Sequence, residues 1–203
     1  MRNNAKSRIE GPRVLLRPMR NGDFAAWREV RVRNKAWLDP WEPRPDAGTT
    51  DPSVDADAYR ARCAAWDRQR QFDAAHGFGL FLVDGERFIG EVSLGSVQRG
   101  PFQSAQLGYW IDEEYAGRGF VPEGVALVLR FAFDDLRLHR IEVAIVPRNV
   151  ASRKVAEKLG LRSEGTAERF LQINGVYEDH ARYAITSEEW EVKRTKIEVG
   201  YLT

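Results

Sequence analysis

The spacing of apolar residues divides the chain into short strands and amphipathic helices. After a polar arm that closes on Gly11-Pro12, residues 14–17 make a short apolar run stopped by Pro18. Phe24, Trp27, Val30 and Arg31 then fall at helical spacing, which predicts a helix to about Asn34 with Asp23 as its cap. Pro40, Pro43, Pro45 and Pro52 break residues 37–53 into a loop that carries Trp37 and Trp41. Those indoles either line a groove or pin the loop to the core. Tyr59, Cys63, Trp66 and Arg70 trace one face of a second helix over residues 54–72.

Three strands follow. Residues 78–83 and a strand from 88 to about 97 are joined by the hairpin signal Asp84-Gly85, and residues 105–111 complete a meander. A helix over 121–136 presents Val125, Val128, Leu129 and Ala132 on one face, with a second stripe through Phe131. The near-continuous apolar run 141–146 reads as a strand covered on both faces. Asn149 caps a helix over 150–159 that ends at Gly160. A hairpin turning at Asn174-Gly175 closes the pattern, with its last strand starting at 176 or 178 and ending at 185. A short helix and a tail are expected over 187–203.

This order predicts a single α/β domain, a mixed and mostly antiparallel sheet with helices on both faces. Strand 141–146 is expected beside strand 105–111 and parallel to it. If the two diverge at their C-terminal ends, a crevice opens between them, with Asn149 and Ser152 at one lip.

Composition narrows the classes. A chain of 203 residues can bury a core without disulfides or metal, and 31 basic against 30 acidic residues argue against a surface that is wholly a nucleic-acid footprint. The one cysteine, Cys63, suggests a reducing compartment and reads as a buried thiol. The basic N-terminus lacks the apolar core of a signal peptide, and no apolar run reaches 18 residues. A soluble cytoplasmic protein is therefore expected, with no membrane contact and either a monomer or a homodimer. His76, His139 and His180 are too dispersed for a metal site.

The stretch 107–124 concentrates the chemistry. An apolar strand ends at Ile111, Gly117-Arg118-Gly119 forms a turn, and a helix begins near Phe120. Glycines free the backbone to converge its N–H groups, and a helix start adds unpaired N–H groups and a field that favours anions. The segment reads as a phosphate cradle, although it matches neither the dinucleotide fingerprint nor the P-loop.

Leu107-Gly-Tyr-Trp-Ile111, Tyr115-Ala-Gly-Arg-Gly-Phe120, Pro147-x-Asn149-x-x-Ser152 and Leu159-Gly-Leu-x-x-Glu-Gly165 together resemble the GCN5-related N-acetyltransferase superfamily. Within it, the chain looks like the ribosomal-protein alanine N-acetyltransferase branch. The resemblance spans residues 12–190, leaving 1–11 and 191–203 as flexible or peripheral tails. It implies the acyl-CoA N-acyltransferase fold, acetyl-CoA as cofactor and direct acyl transfer to an amine. The implied acceptor is the N-terminus of a protein, such as a ribosomal protein alanine. Alternatives are acetylation of a small-molecule or antibiotic amine, or an acyl-CoA sensor without turnover.

The resemblance also assigns roles. Tyr109, Trp110 and Ile111 would supply strand backbone to the pantetheine arm, and Tyr115, Gly117, Arg118, Gly119, Phe120 and Val121 would form the pyrophosphate loop. Glu114 stands where the family often has Gln or Arg, so no side-chain contact is carried over there. Asn149 would meet the cofactor arm, Ser152 its thiol end, and Arg153 the outer phosphates or solvent.

The reaction needs a proton acceptor for the amine and a proton donor or hydroxyl for the leaving thiolate. Glu91 first and Glu142 second, carboxylates on sheet strands, are the candidate bases; each also reads as the partner of an arginine or as the group that holds the substrate's ammonium. Ser152 is the candidate at the thiolate, and its place in a first helical turn also suits capping. Trp37, Trp41, Tyr177 and Asp179 are candidates on the acceptor side, with Glu42, Asp46 and Asp51 as possible attractors of a basic peptide.

Overall fold

The computed structural model describes residues 8–44 and 48–203. Eight strands form one sheet in the order β1-β2-β3-β4-β5-β6-β8-β7. The strands are β1 (Ile9–Glu10), β2 (Val14–Arg17), β3 (His76–Leu82), β4 (Phe88–Gln98), β5 (Ser104–Ile111), β6 (Arg140–Ile145), β7 (Arg162–Ile173) and β8 (Val176–Thr186). All neighbours are antiparallel except β5 and β6. That parallel pair holds only from Ser104↔Arg140 to Gln106↔Glu142. Beyond it the two strands separate, as the expected crevice requires.

Side-chain alternation sends successive residues to two cores. On one face, α1 (Phe24–Arg33) and α3 (Ala56–Gln71) bury Trp27, Val30, Tyr59 and Cys63 against Leu15, Phe81 and Phe88. On the other, the larger core gathers Val14, Leu16, Leu80, Val92 and Ile141 under α4 (Phe120–Arg130), α5 (Val150–Lys158) and α6 (Ser187–Tyr201). Helix α4 is apolar almost all round, and its residues 121–129 are buried, which fits a helix covered on every side. Its last turn widens into a π-helical turn over Phe131–Asp135.

Several elements depart from expectation. Asp23 does not cap α1; its carboxylate takes both guanidinium nitrogens of Arg17 at 2.8 Å and the Arg20 N–H at 2.7 Å. Helix α3 starts two residues later than expected because Asp55 caps it, accepting from Asp57 N and Ala58 N. The tryptophan loop contains a short helix α2 (Lys35–Leu38) and a 3-10 turn (Asp39–Trp41), whose Pro40 lacks an N–H in a first turn where none is needed. Ile9 and Glu10, expected in a loose arm, pair with Leu16 and Leu15. The C-terminal tail is instead helix α6, closed by a Thr186–Glu189 capping box, with Trp190 and Ile197 in the larger core. Pro45 and Asp46 lie outside the described residues.

Candidate active site

A cavity of about 590 Å³ lies where β5 and β6 part. Because the sheet is open there, residues from both faces reach it. Tyr109, Val121 and Ser152 line it from the side of the larger core, and Glu91, Arg62 and Cys63 from the side of α3.

At one end, Ala116 and Gly117 meet the start of α4. Gly117 and Gly119 have φ of +75° and +85°, the left-handed region that glycine alone adopts without strain. No side chain caps this helix, and Glu123 N–H, bound to Gly119 O at 3.2 Å, starts the helical ladder. The N–H groups before it have no partner inside the helix and are available to an anion. The loop is braced from outside. Tyr115 is buried and its hydroxyl accepts from Arg87 Nη1 at 3.1 Å. Arg13 donates from Nη1 to Arg118 O and from Nη2 to Gly119 O, and lies over the Phe120 ring. Arg118 lies over the Tyr115 ring, and Glu114 stands 3.9 Å from Arg33.

Glu123 secures that brace. Its carboxylate is fully buried and accepts from Arg13 N, Val14 N and Arg13 Nε at 2.7, 2.9 and 2.8 Å. On the loop's other flank Asp112, also buried, takes Arg33 and Asn34 Nδ2, while Asn34 Oδ1 accepts the Glu113 N–H. Burial would raise the Asp112 carboxyl, but the hydrogen bonds from Arg33 and Asn34 outweigh it and hold the group low. Sequence reading missed Arg13, Asp112 and Glu123. An acid in the first turn of an otherwise apolar helix was the one signal available for Glu123.

At the other end, Glu91 accepts from Trp27 Nε1 and Trp110 Nε1, each at 3.0 Å, and from Arg62 Nη2 at 2.6 Å. Three donors leave about one lone-pair site of a carboxylate open, since the group offers roughly four. Arg31 lies over the Trp110 ring. Trp37 and Trp41 do both things expected of a tryptophan loop. Both line the cavity, Trp37 Nε1 also donates to Ile111 O, and Arg148 lies over the Trp41 ring.

Between the two ends, the Tyr109 hydroxyl donates to Ser152 O at 2.9 Å and accepts from Ser152 Oγ at 3.1 Å. Burial pushes Tyr109 up to about 12, so it keeps its proton at neutral pH. Asn149 lines the cavity and caps α5 by accepting Ser152 N–H.

Other candidates stand elsewhere. Glu142 sits in an arginine lattice outside the cavity, bound by Arg140 Nε at 2.6 Å and by Arg182. Arg153 donates to Tyr183 and to Pro147 O. Asp179 accepts the Arg169 N–H, and Tyr177 is 62% exposed near the tip of the β7–β8 hairpin; neither lines the cavity. That hairpin reaches the tryptophan loop through Asn174 N to Glu42 O and Arg44 Nε to Asn174 Oδ1. Among the described residues, no group of His, Cys, Asp or Glu has the geometry of a metal site, and no helix is long and apolar enough to cross a membrane.

Comparison with known proteins matches residues 13–162 to the family described as acetyltransferase (GNAT) domain. The chain is 33% identical over 183 residues to a probable N-acetyltransferase of Bacillus subtilis, covering 90% of this chain and 99% of the relative. It is 31% identical over 190 residues to the ribosomal protein uS5 alanine N-acetyltransferase of Escherichia coli, covering 93% and 95%. Among solved structures, RimJ of Mycobacterium smegmatis, in complex with CoA-disulfide, superposes with a TM-score of 0.85 at 33% identity, covering 95% and 92%.

Proposed function

The chain belongs to the GNAT acetyltransferase family, and we propose that its acceptor is the N-terminal amine of a protein, with a ribosomal-protein alanine the first to test. It is an N-acetyltransferase that uses acetyl-CoA. The carrying observation is one cavity that joins the glycine cradle at Gly117 to the tryptophan-bound carboxylate of Glu91 through the gap between β5 and β6.

The residues present fit the cofactor. Gly117 and Gly119 have the backbone of an anion cradle, a Cβ on Gly117 would meet nothing within 4 Å, and the helix start behind them is uncapped. The parted edge of β5 suits an extended arm, with Asn149 and Ser152 across from it. Acetyl-CoA supplies the thioester whose carbonyl carbon the amine attacks.

The chain's own groups handle the protons. Glu91 has one lone-pair site left to receive the amine's proton, directly or through water, and its other contacts hold it in place. Tyr109, neutral and tied to Ser152, would serve a leaving thiolate by turning its one proton away from Ser152 O, with Ser152 Oγ still donating to it. Glu142, committed to Arg140 and Arg182, takes no part. A protein acceptor is supported by relatives whose names carry that activity and whose length this chain matches almost fully. Such an acceptor would place the reaction in the cytoplasm.

The test is acetyl-CoA turnover with alanine-terminated peptides against small amines. Peptides should show the higher kcat/KM, and faster turnover of small amines would replace this reading with the small-molecule one. CoA binding without turnover of any acceptor would point to a sensor. Glu91→Gln should lower kcat by about 10²–10⁴ and remove the acidic limb of the pH–rate profile. An unchanged profile would remove Glu91 from the role of base.

A further inference from the structure

Helix α3 brings Arg62, Trp66 and Arg70 to the cavity, four residues apart and therefore on one face. Trp66 packs directly on Gly77 of β3; a Cβ on that glycine would stand 2.6 Å from its ring. Arg62 donates from Nη2 to Glu91, and its Nη1 is buried with no partner in the protein. Arg70 donates from Nη1 to Asp67 and from Nη2 to Gly77 O, and its Nε is likewise buried and unpartnered. Two buried guanidinium N–H groups thus flank one indole along the same wall. A buried donor without an acceptor is costly, so the wall favours a ligand that brings oxygen atoms to it.

Among the described residues, the two acids named as attractors of a basic peptide are already engaged. Glu42 is bound by both terminal nitrogens of Arg31, and Asp51 accepts the Ser53 N–H. Burial would raise Asp51, yet the bonds from Ser53 outweigh it. We infer that the α3 wall binds the acceptor beyond its amine and selects an acidic side chain there. The inference rests on the acceptor being a peptide N-terminus. Arg62 touches Glu91, where the amine is received. Arg70 lies eight helical residues further on, about 12 Å at 1.5 Å per residue. An extended peptide covers that in between three and four steps of roughly 3.3 Å. Counted from the amine at position one, the favoured acid therefore falls at the fourth position or just beyond it.

The experiment uses three alanine-terminated peptides that differ only at position four, carrying Glu, Gln or Lys. The unmodified protein should prefer Glu over Lys by about tenfold in kcat/KM, as expected for a charge-assisted hydrogen bond partly screened by water. The preference should shrink with added salt and fade when the acid is moved to position eight. Arg70→Gln should bring the Glu-to-Lys ratio towards one, and Arg70→Lys should retain most of it. Equal turnover of the three peptides, a preference for Lys, or a ratio unchanged in folded Arg70→Gln would each overturn the inference while leaving the peptide acceptor standing. Turnover of small amines with no peptide turnover would overturn the acceptor reading, and this inference with it.

Discussion

Glu123→Ala removes the acceptor of three hydrogen bonds beneath the cradle. The contributions are unequal. The Arg13 guanidinium is 49% exposed, so water replaces its lost partner and the ion pair is worth at most about 1 kcal/mol. The Val14 N–H belongs to a fully buried residue, and leaving it unsatisfied costs about 1–3 kcal/mol. The Arg13 N–H, at the start of β2, adds about 1 kcal/mol. The sum is about 2–5 kcal/mol, reaching the range for breaking a buried charged pair. For a chain of this size each kcal/mol shifts Tm by about 2–4 °C, so a fall of about 4–20 °C is expected by calorimetry.

The same change should act on the cofactor end. Arg13, no longer held by Glu123, loses its grip on the carbonyls of Arg118 and Gly119, and the N–H groups between them lose their common direction. CoA binding, measured by titration calorimetry below the melting range, should weaken by about tenfold, or 1.4 kcal/mol. Pantetheine, which has no pyrophosphate, should bind as it does to the parent. A Tm within about 2 °C of the parent, less than one kcal/mol predicts, would refute the stability reasoning. Equal weakening for CoA and pantetheine would refute the link from Glu123 to the phosphate loop.

Other expectations follow from single groups. Tyr109→Phe should lower kcat more than the affinity for CoA, since only a hydroxyl is lost, and equal losses in both would argue against a proton-donor role. Tyr109 is raised from 10.0 to about 12, so the stability tied to its protonated form is present below pH 10 and lost as pH rises towards 12, where alkaline melts of parent and Tyr109→Phe should converge. Gly117→Ala and Gly85→Ala place a side chain at nearly the same φ, +75° and +73°, with nothing within 4 Å, so each should cost about 1–2 kcal/mol, but only Gly117→Ala should weaken CoA binding. Burial lowers His76 below 6.5 despite the hydrogen bond from its ring to Asp73, with Arg70 and Arg99 also opposing its charge. Its contribution is therefore present above pH 6.5 and lost as pH falls, and melts between pH 8 and 5 should be flatter for His76→Gln.

The cradle was legible in the sequence because its determinants are local. Gly117 and Gly119 adopt the positive φ that only glycine takes freely, and the apolar run from Val125 onwards announces the helix behind them. Asn149 was legible as a cap for the same reason, the N–H donor it accepts from lying three residues away. The carboxylate proposed as base was not so legible. Glu91 and Glu142 both interrupt apolar strands, and alternation alone treats them alike. Asp179 and Tyr177 fell on a hairpin whose tip leans on the tryptophan loop without entering the cavity, a matter of hairpin length and twist that no short motif encodes.

By itself, then, the sequence determined the order of the main elements, the parallel placement of β6 beside β5, and the glycine turn at Gly117. Each depends on the spacing of neighbours or on a residue's own backbone freedom. Tertiary structure alone decided what the charged groups do. Glu91 faces two indoles and Arg62, drawn from residues 27, 62 and 110, whereas Glu142 is enclosed by Arg140 and Arg182. Glu123 became a brace because Arg13 and Val14 come to it across more than a hundred residues. The chemistry of a carboxylate is set by its burial and by the donors around it, and those donors come from distant parts of the chain.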